Sequence, residues 1–146
     1  MTVISASDRF LFNPSLIWLP FGKRTAADIT FPLAPTFDTH GVEFVHAEAT
    51  SLDLPGKAVE TTAGRYRYDY LVIATGPELA FDEVEGLGPD GFTQSICHID
   101  HAEKAKLAFE QLKANPGPVI IGAAQGASCF GPAYEFTFIL ETALRQ

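Results

Sequence analysis

Three observations predict an α/β fold with a parallel sheet. The first is Val119 through Leu144, where an apolar strand at Val119-Ile120-Ile121 breaks at Gly122 into a turn of small residues and runs toward an apolar helix over Ala133 to Leu144. Strand, glycine turn and helix in that order open a dinucleotide-binding βαβ unit. The second is Tyr70-Leu71-Val72-Ile73, four large apolar residues in a row that suit a strand buried on both faces of a parallel sheet. The third is Thr2-Val3-Ile4-Ser5, a short strand ending in small polar residues, at the place where a strand of such a fold meets the nucleotide ribose.

The elements follow in order. Thr2 to Ser5 is either that ribose-facing strand, with Ser5 and Ala6 in the usual place of an acid, or an ordinary edge strand. Phe10 to Gly22 is rich in aromatics and broken by Pro14 and Pro20. Pro14 holds Asn13 extended and fits the first turn of a short helix. This segment either walls a flat aromatic ligand or plugs the space under a loop. Asp28 to Pro35 reads as extended, His40-Gly41 as a turn, and Val42 to Ala49 as a strand of alternating apolar residues.

Leu54-Pro55-Gly56-Lys57 is a turn. Ala58 to Thr62 and Tyr66 to Tyr68 flank Ala63-Gly64 as a hairpin. In Ala74-Thr75-Gly76 small residues let the backbone pass close to a ligand. Gly76 to Gly91, with its prolines, glycines and acids, reads as a linker or surface loop between two domains, 1–77 and 78–146. His101 to Leu112 carries Ala105, Ala108, Phe109 and Leu112 on one helical face. Asn115-Pro116-Gly117-Pro118 stops that helix.

Bulk composition narrows the function. A chain of 146 residues, 47% of them hydrophobic, can bury a core, and 19% charged residues do not point to disorder. The net charge of −8 argues against nucleic acid as a partner, because phosphates call for clustered Lys and Arg. Two cysteines do not make a disulfide scaffold, and their spacing to the histidines is not that of a metal site. No basic-then-apolar opening marks a secretory signal, and no apolar run reaches the roughly 18 residues of a membrane span.

The turn after Gly122 carries the chemistry. The second and third glycine positions of the dinucleotide fingerprint hold Ala124 and Ala127, and Cys129 falls in the first turn of the expected helix. The added methyl groups and the thiol stand where a pyrophosphate would need bare backbone, which argues against NAD(P)H as the electron donor. Either the turn presents Cys129 as a thiol activated by the helix dipole, or it is a packing turn with a buried cysteine. Cys97 poses the same choice ahead of its own helix. His101, four residues on, shares a face with Cys97 if the helix includes both, and can move a proton near neutral pH. Otherwise it is a solvated histidine paired with Glu103 or Glu48. Glu135 is either an acid desolvated in an apolar run or a first-turn acid favoured by the dipole.

The stretches Val3-Ile4-Ser5, Phe12-Asn13-Pro14-Ser15, Tyr68 to Pro77, Ser95-Ile96-Cys97 and Asn115 to Phe136 together resemble the sulfide:quinone oxidoreductases. That family lies in the flavin disulfide-reductase superfamily. The segment Ser128-Cys129-Phe130-Gly131-Pro132-Ala133-Tyr134-Glu135-Phe136 is the part specific to its sulfide-oxidising branch. The resemblance implies a Rossmann-like, three-layer FAD/NAD(P)-binding fold of two domains, incomplete here. The glycine fingerprint would lie before Thr2, and a third cysteine, the redox partner of Cys129, after Gln146.

It also implies roles for individual residues. FAD is the cofactor, with Ser5 and Ala6 at the ribose, Glu48 and Ala49 at the adenine, Thr75 and Gly76 along the cofactor, and Asn13 and Pro14 beside the flavin. Cys129 is a redox thiol and Cys97 the additional cysteine, while His101 and Glu135 handle protons. Sulfide and quinone are the implied partners, with peripheral contact to the cell membrane through a C-terminal part and a possible homo-oligomer. A flavocytochrome c type of sulfide dehydrogenase and a non-catalytic binding domain of the same fold are the alternatives. The 146 residues by themselves are expected to be inactive.

Overall fold

The computed structural model describes residues 1–127 and 129–146. The chain forms two compact units, one of residues 1–11 and 30–79, the other of residues 12–29 and 80–146.

In the first unit, β1 (Thr2–Ser5) is followed by β2 (Arg9–Leu11), β3 (Thr30–Pro32), helix α1 (Leu33–Thr39) and β4 (Glu43–His46). Strands β1 and β4 pair in parallel, Thr2 opposite Glu43 and Ser5 opposite His46. A parallel pair needs a crossover, and α1 is its helical part. Phe37 of α1 stacks on Phe44 of β4 at 5.4 Å. Gly41, at φ +63°, ends α1: its N–H reaches the Asp38 carbonyl, and the Val42 N–H reaches Phe37. Strands β2 and β3 pair antiparallel, and the Phe10 and Phe31 rings lie 4.9 Å apart.

The extended reading of Asp28 to Pro35 holds only for Thr30–Pro32, because Leu33 to Pro35 are already helical. Pro35 is the third helical residue, where no intrahelical partner awaits an N–H, so it costs no hydrogen bond.

Strands β5 (Ala49–Asp53), β6 (Ala58–Thr61) and β7 (Gly64–Arg67) form an antiparallel meander, irregular between Ala49 and Ser51. Asp53 governs its first turn. One carboxylate oxygen accepts the Gly56 N–H at 2.9 Å and the other meets Arg65 at 2.5 Å. The Gly56 bond first, and Arg65 next, hold the Asp53 carboxyl below the usual carboxylate range. Arg65 also pairs with Glu60 at 2.6 Å. Ala47, Ala58 and Val59 are buried.

In the second unit, Asn13–Trp18, Ala26–Ile29 and Phe81–Glu83 are 3₁₀ turns, and α2 (Ile99–Ala114) and α3 (Gly131–Leu144) are the long helices. Leu16, Ile17, Leu19, Ile29, Ala102, Ala105, Phe109, Ile139 and Leu140 are buried. Each large one contributes about 1.5–3 kcal/mol relative to an exposed side chain. The Phe21 ring lies 5.1 Å from Phe109 of α2 and 5.0 Å from Phe136 of α3, so one aromatic joins both helices. Asn115 and the following Pro116 end α2.

Two expected strands are absent. Tyr70 to Ile73 and Val119 to Ile121 form no ladder, and Val72 is 86% and Ile120 96% exposed. A run that is apolar on both faces becomes a strand only between neighbours that take its backbone hydrogen bonds. No such neighbour lies beside either run among the described residues. The stretch read as a loop around Gly86–Thr93 is tightly wound. Phe92 N–H donates to the Gly86 carbonyl at 2.7 Å, Gly91 N–H to Gly88 at 3.0 Å, and Gly88 N–H to the Thr93 hydroxyl at 2.7 Å. Asp90 pairs with Lys104 of α2 at 2.7 Å.

Two stability measurements follow from these contacts. A methyl group on Gly91 would collide with the backbone carbonyl of Gly86, which cannot step aside. Gly91→Ala therefore destabilises by about 1–3 kcal/mol in urea unfolding. Gly117→Ala, with open space around it, stays within about 0.5 kcal/mol. Because the Asp53 carboxyl titrates lower when folded than unfolded, its stabilisation is present above the unfolded value and lost as pH falls through the folded one. The gap in Tm between wild type and Asp53→Asn is therefore wide near neutral pH and closes in acid below the carboxylate range.

Candidate functional site

In the first unit, the parallel pairing brings the C-terminal ends of β1 and β4 side by side. That end of a parallel sheet is where α/β folds receive ligands. Ser5 and Ala6 leave β1 there, and Glu48 and Ala49 follow β4. The Ala47 N–H donates to the Ser5 carbonyl at 2.9 Å, which locks the two chain exits together. The Ser5 hydroxyl accepts the Ser7 N–H at 3.1 Å. His46, to which the sequence assigns nothing, donates from Nε2 to the Ala6 carbonyl at 3.1 Å. Glu48 gives its N–H to the Thr62 hydroxyl and accepts the Thr62 N–H on its carbonyl. Its carboxylate has no hydrogen-bond or ion-pair partner among the described residues. Thr75 and Gly76 are exposed and lie outside any strand, with Gly76 at φ +79°.

In the second unit, Asn13 and Pro14 open the first 3₁₀ turn and are exposed. The residues after them, Leu16, Ile17, Leu19 and Pro20, are buried, while Phe10 and Phe12 of the aromatic-rich segment are exposed.

Cys97 and His101 do not share a helical face, because α2 begins at Ile99 with His98 as its N-cap and Cys97 lies before it. They meet through Ser95 instead. The Ser95 hydroxyl accepts the Cys97 N–H at 3.2 Å and lies 3.3 Å from His101 Nδ1. His101 is not a solvated histidine paired with Glu103 or Glu48. Its side chain is 13% exposed, with Nε2 3.8 Å from the Asp100 carboxylate. The rings of Phe81 and His98 lie 5.7 and 5.1 Å from its own. Ser95 is the residue that sequence reasoning missed. A hydroxyl two residues before an amide is a common local pairing, and that spacing was the available signal.

Helix α3 starts at Gly131 with Pro132 in its first turn, two residues earlier than the periodicity predicts. Cys129 lies just before the N-cap, Phe130, and not in the first helical turn. It is a free and exposed thiol, as is Cys97, so neither is a buried packing cysteine. Ser128, part of the same motif, lies outside the described residues. The turn ahead of Cys129 closes through the Ala127 N–H on the Ala124 carbonyl at 3.1 Å, with Gly126 at φ +85°. Glu135 is the fifth helical residue, exposed and past the first turn, so neither desolvation nor a first-turn position describes it. It borders a shallow cavity of about 300 Å³ with Trp18, Lys23, Phe138, Ile139 and Thr142.

Comparison with known proteins bears on this arrangement. No protein-family model matches the chain. The chain is 43% identical to the sulfide-quinone reductase of Aquifex aeolicus over 147 aligned positions, which take in all of this chain and 34% of that protein. It is 34% identical over 94 residues to a type II NADH:quinone oxidoreductase of Staphylococcus haemolyticus, 64% of this chain and 23% of that one. The crystal structure of the sulfide:quinone oxidoreductase from Aquifex aeolicus superimposes with a TM-score of 0.90 at 44% identity, over 99% of this chain and 33% of that chain. NDH2 from Plasmodium falciparum, solved with NADH, superimposes at 0.61 and 22% identity over 77% of this chain and 24% of that chain, a likeness of fold alone. The chain thus spans about a third of the length of the Aquifex protein. These likenesses make its mixed architecture an incomplete Rossmann-like α/β fold. Over its whole length, in sequence and in fold, the chain is similar to about a third of the sulfide:quinone oxidoreductase of Aquifex aeolicus.

Proposed function

We propose that this chain is the part of a flavoprotein that oxidises sulfide and reduces quinone. The observation that carries the reading is the 43% identity across the entire chain to a sulfide-quinone reductase, combined with two exposed, free thiols at the starts of helices α2 and α3. A thiol that meets HS⁻ must be reachable, and thiolate is its reactive form. In this reading residues 1–77 belong to the FAD-binding domain and residues 78–146 open a second domain that carries the thiols.

The sheet edge in the first unit fits FAD. Ser5, Ala6, Glu48 and Ala49 are small or exposed there, and the Ser5 hydroxyl proton has no acceptor among the described residues. Ser5 and Ala6 would receive the ribose, Glu48 and Ala49 the adenine, and Thr75 and Gly76 would follow the cofactor. Asn13 and Pro14, in the second unit, are assigned to the flavin. Bound FAD supplies a two-electron acceptor for the oxidation of sulfide sulfur. Cys129 is the thiol assigned to sulfur capture, Cys97 the second thiol, and His101 and Glu135 take up the protons that sulfide releases.

The place of action is the membrane surface, where quinone resides. Among the described residues no helix is long and apolar enough to cross a membrane, and attachment is peripheral in this reading.

The test uses the polypeptide at the full span of its relative, loaded with FAD. Cys129→Ser abolishes sulfide-dependent bleaching of the flavin absorbance, while the flavin remains bound and reducible by dithionite. Normal bleaching in that variant overturns the assignment of Cys129.

A further inference from the structure

The Ser95 hydroxyl is shared between two residues with chemistry of their own. It accepts the Cys97 N–H at 3.2 Å and faces His101 Nδ1 at 3.3 Å. A hydroxyl has one proton and two lone pairs. With one lone pair taken by Cys97, Ser95 can donate its proton to the bare Nδ1 of a neutral imidazole, whose Nε2–H then points toward Asp100 at 3.8 Å. When the ring is protonated, Nδ1–H donates to the second lone pair and the hydroxyl proton turns away. Ser95 therefore keeps a hydrogen bond to His101 in both charge states without releasing Cys97. The ring has little freedom besides, with Phe81 and His98 against it.

We propose that Ser95 is a positioning residue, whose hydroxyl couples the His101 ring to the Cys97 backbone so that the histidine acts on the reactivity of that thiol. The importance of the coupling for sulfide chemistry rests on the reading of Cys97 and His101 given above, but the coupling itself does not. The charged and titratable groups that face His101 are the Asp100 carboxylate, the His98 ring, and Asp90, which Lys104 partly neutralises at 2.7 Å. Asp100, His98 and Lys104 belong to α2 or its cap and Asp90 to the wound loop before it, so none depends on Ser95 for its place.

The experiment needs neither cofactor nor sulfide. In the 146-residue chain carrying Cys129→Ala, Cys97 is the sole thiol. Its alkylation by iodoacetamide is followed by mass spectrometry near neutral pH, with circular dichroism as the check on folding. Ser95→Ala and Ser95→Val slow the reaction about threefold or more, while Ser95→Thr, of the same shape as valine but with a hydroxyl, stays within about twofold of wild type. His101→Asn slows it comparably, and adding Ser95→Ala to His101→Asn changes nothing further. Equal rates for the Thr and Val variants, or single effects that multiply in the double variant, overturn the proposal. The Thr and Val pair decides the matter even if the alanine variant loses helix. Since sulfide enters none of these rates, the coupling and the sulfide reading fail or survive separately.

Discussion

The parallel ladder between β1 and β4 is the constraint on which the first unit depends. It is the single parallel pairing among the described residues, and it sets four proposed cofactor residues along one edge. A slip of one residue would send every side chain of β1 to the other face. The register is held at both ends by groups outside the strands proper. At the start, the Thr2 hydroxyl donates to the Glu43 carboxylate at 2.7 Å. At the finish, Ala47 bonds back to Ser5 and His46 to Ala6. The meander behind Ala49 then anchors Glu48 through Thr62. A short ladder with tied ends can present an edge that a longer, looser one would not.

The second unit solves a different problem. Its helices converge on Phe21, and α2, with small Ala102 and Ala105 buried, packs on the Asn13–Trp18 turn that holds Leu16 and Ile17. With the buried residues so placed, the segments just ahead of α2 and α3 leave both cysteines exposed. Both cysteines lie just ahead of an N-cap, and neither cap residue, His98 or Phe130, uses its side chain to close the helix end. The proposed site thus falls where a capping side chain would otherwise stand.

Much of this was legible in the sequence, and the failures have physical causes. The hairpin around Ala63-Gly64, the turn at Leu54 to Lys57 and the helix through His101 to Leu112 are local structures, specified by residues within a few positions of each other. The runs at Tyr70 and Val119 were misjudged because a strand is a property of its neighbours, which no window of sequence contains. Pro35 misled because proline reads as a stop unless its exact helical position is known. Cys129 lies ahead of the N-cap and not in the first turn, because the helix opens with Gly131-Pro132 and no earlier. Cys97 and His101 were paired by helical periodicity, whereas a hydroxyl two residues upstream joins them. That bond depends on where α2 begins, and boundaries are what periodicity resolves least.

The two exposed apolar runs have a colloidal consequence. Each is a short, uncharged, apolar stretch with β-branched residues whose amide and carbonyl groups have found no ladder, the profile of a segment that zips onto copies of itself. Pro77 closes the first and Pro118 precedes the second, so proline stands as a gatekeeper at one end of each. In concentrated solutions of the isolated chain, those two runs are where self-association would begin.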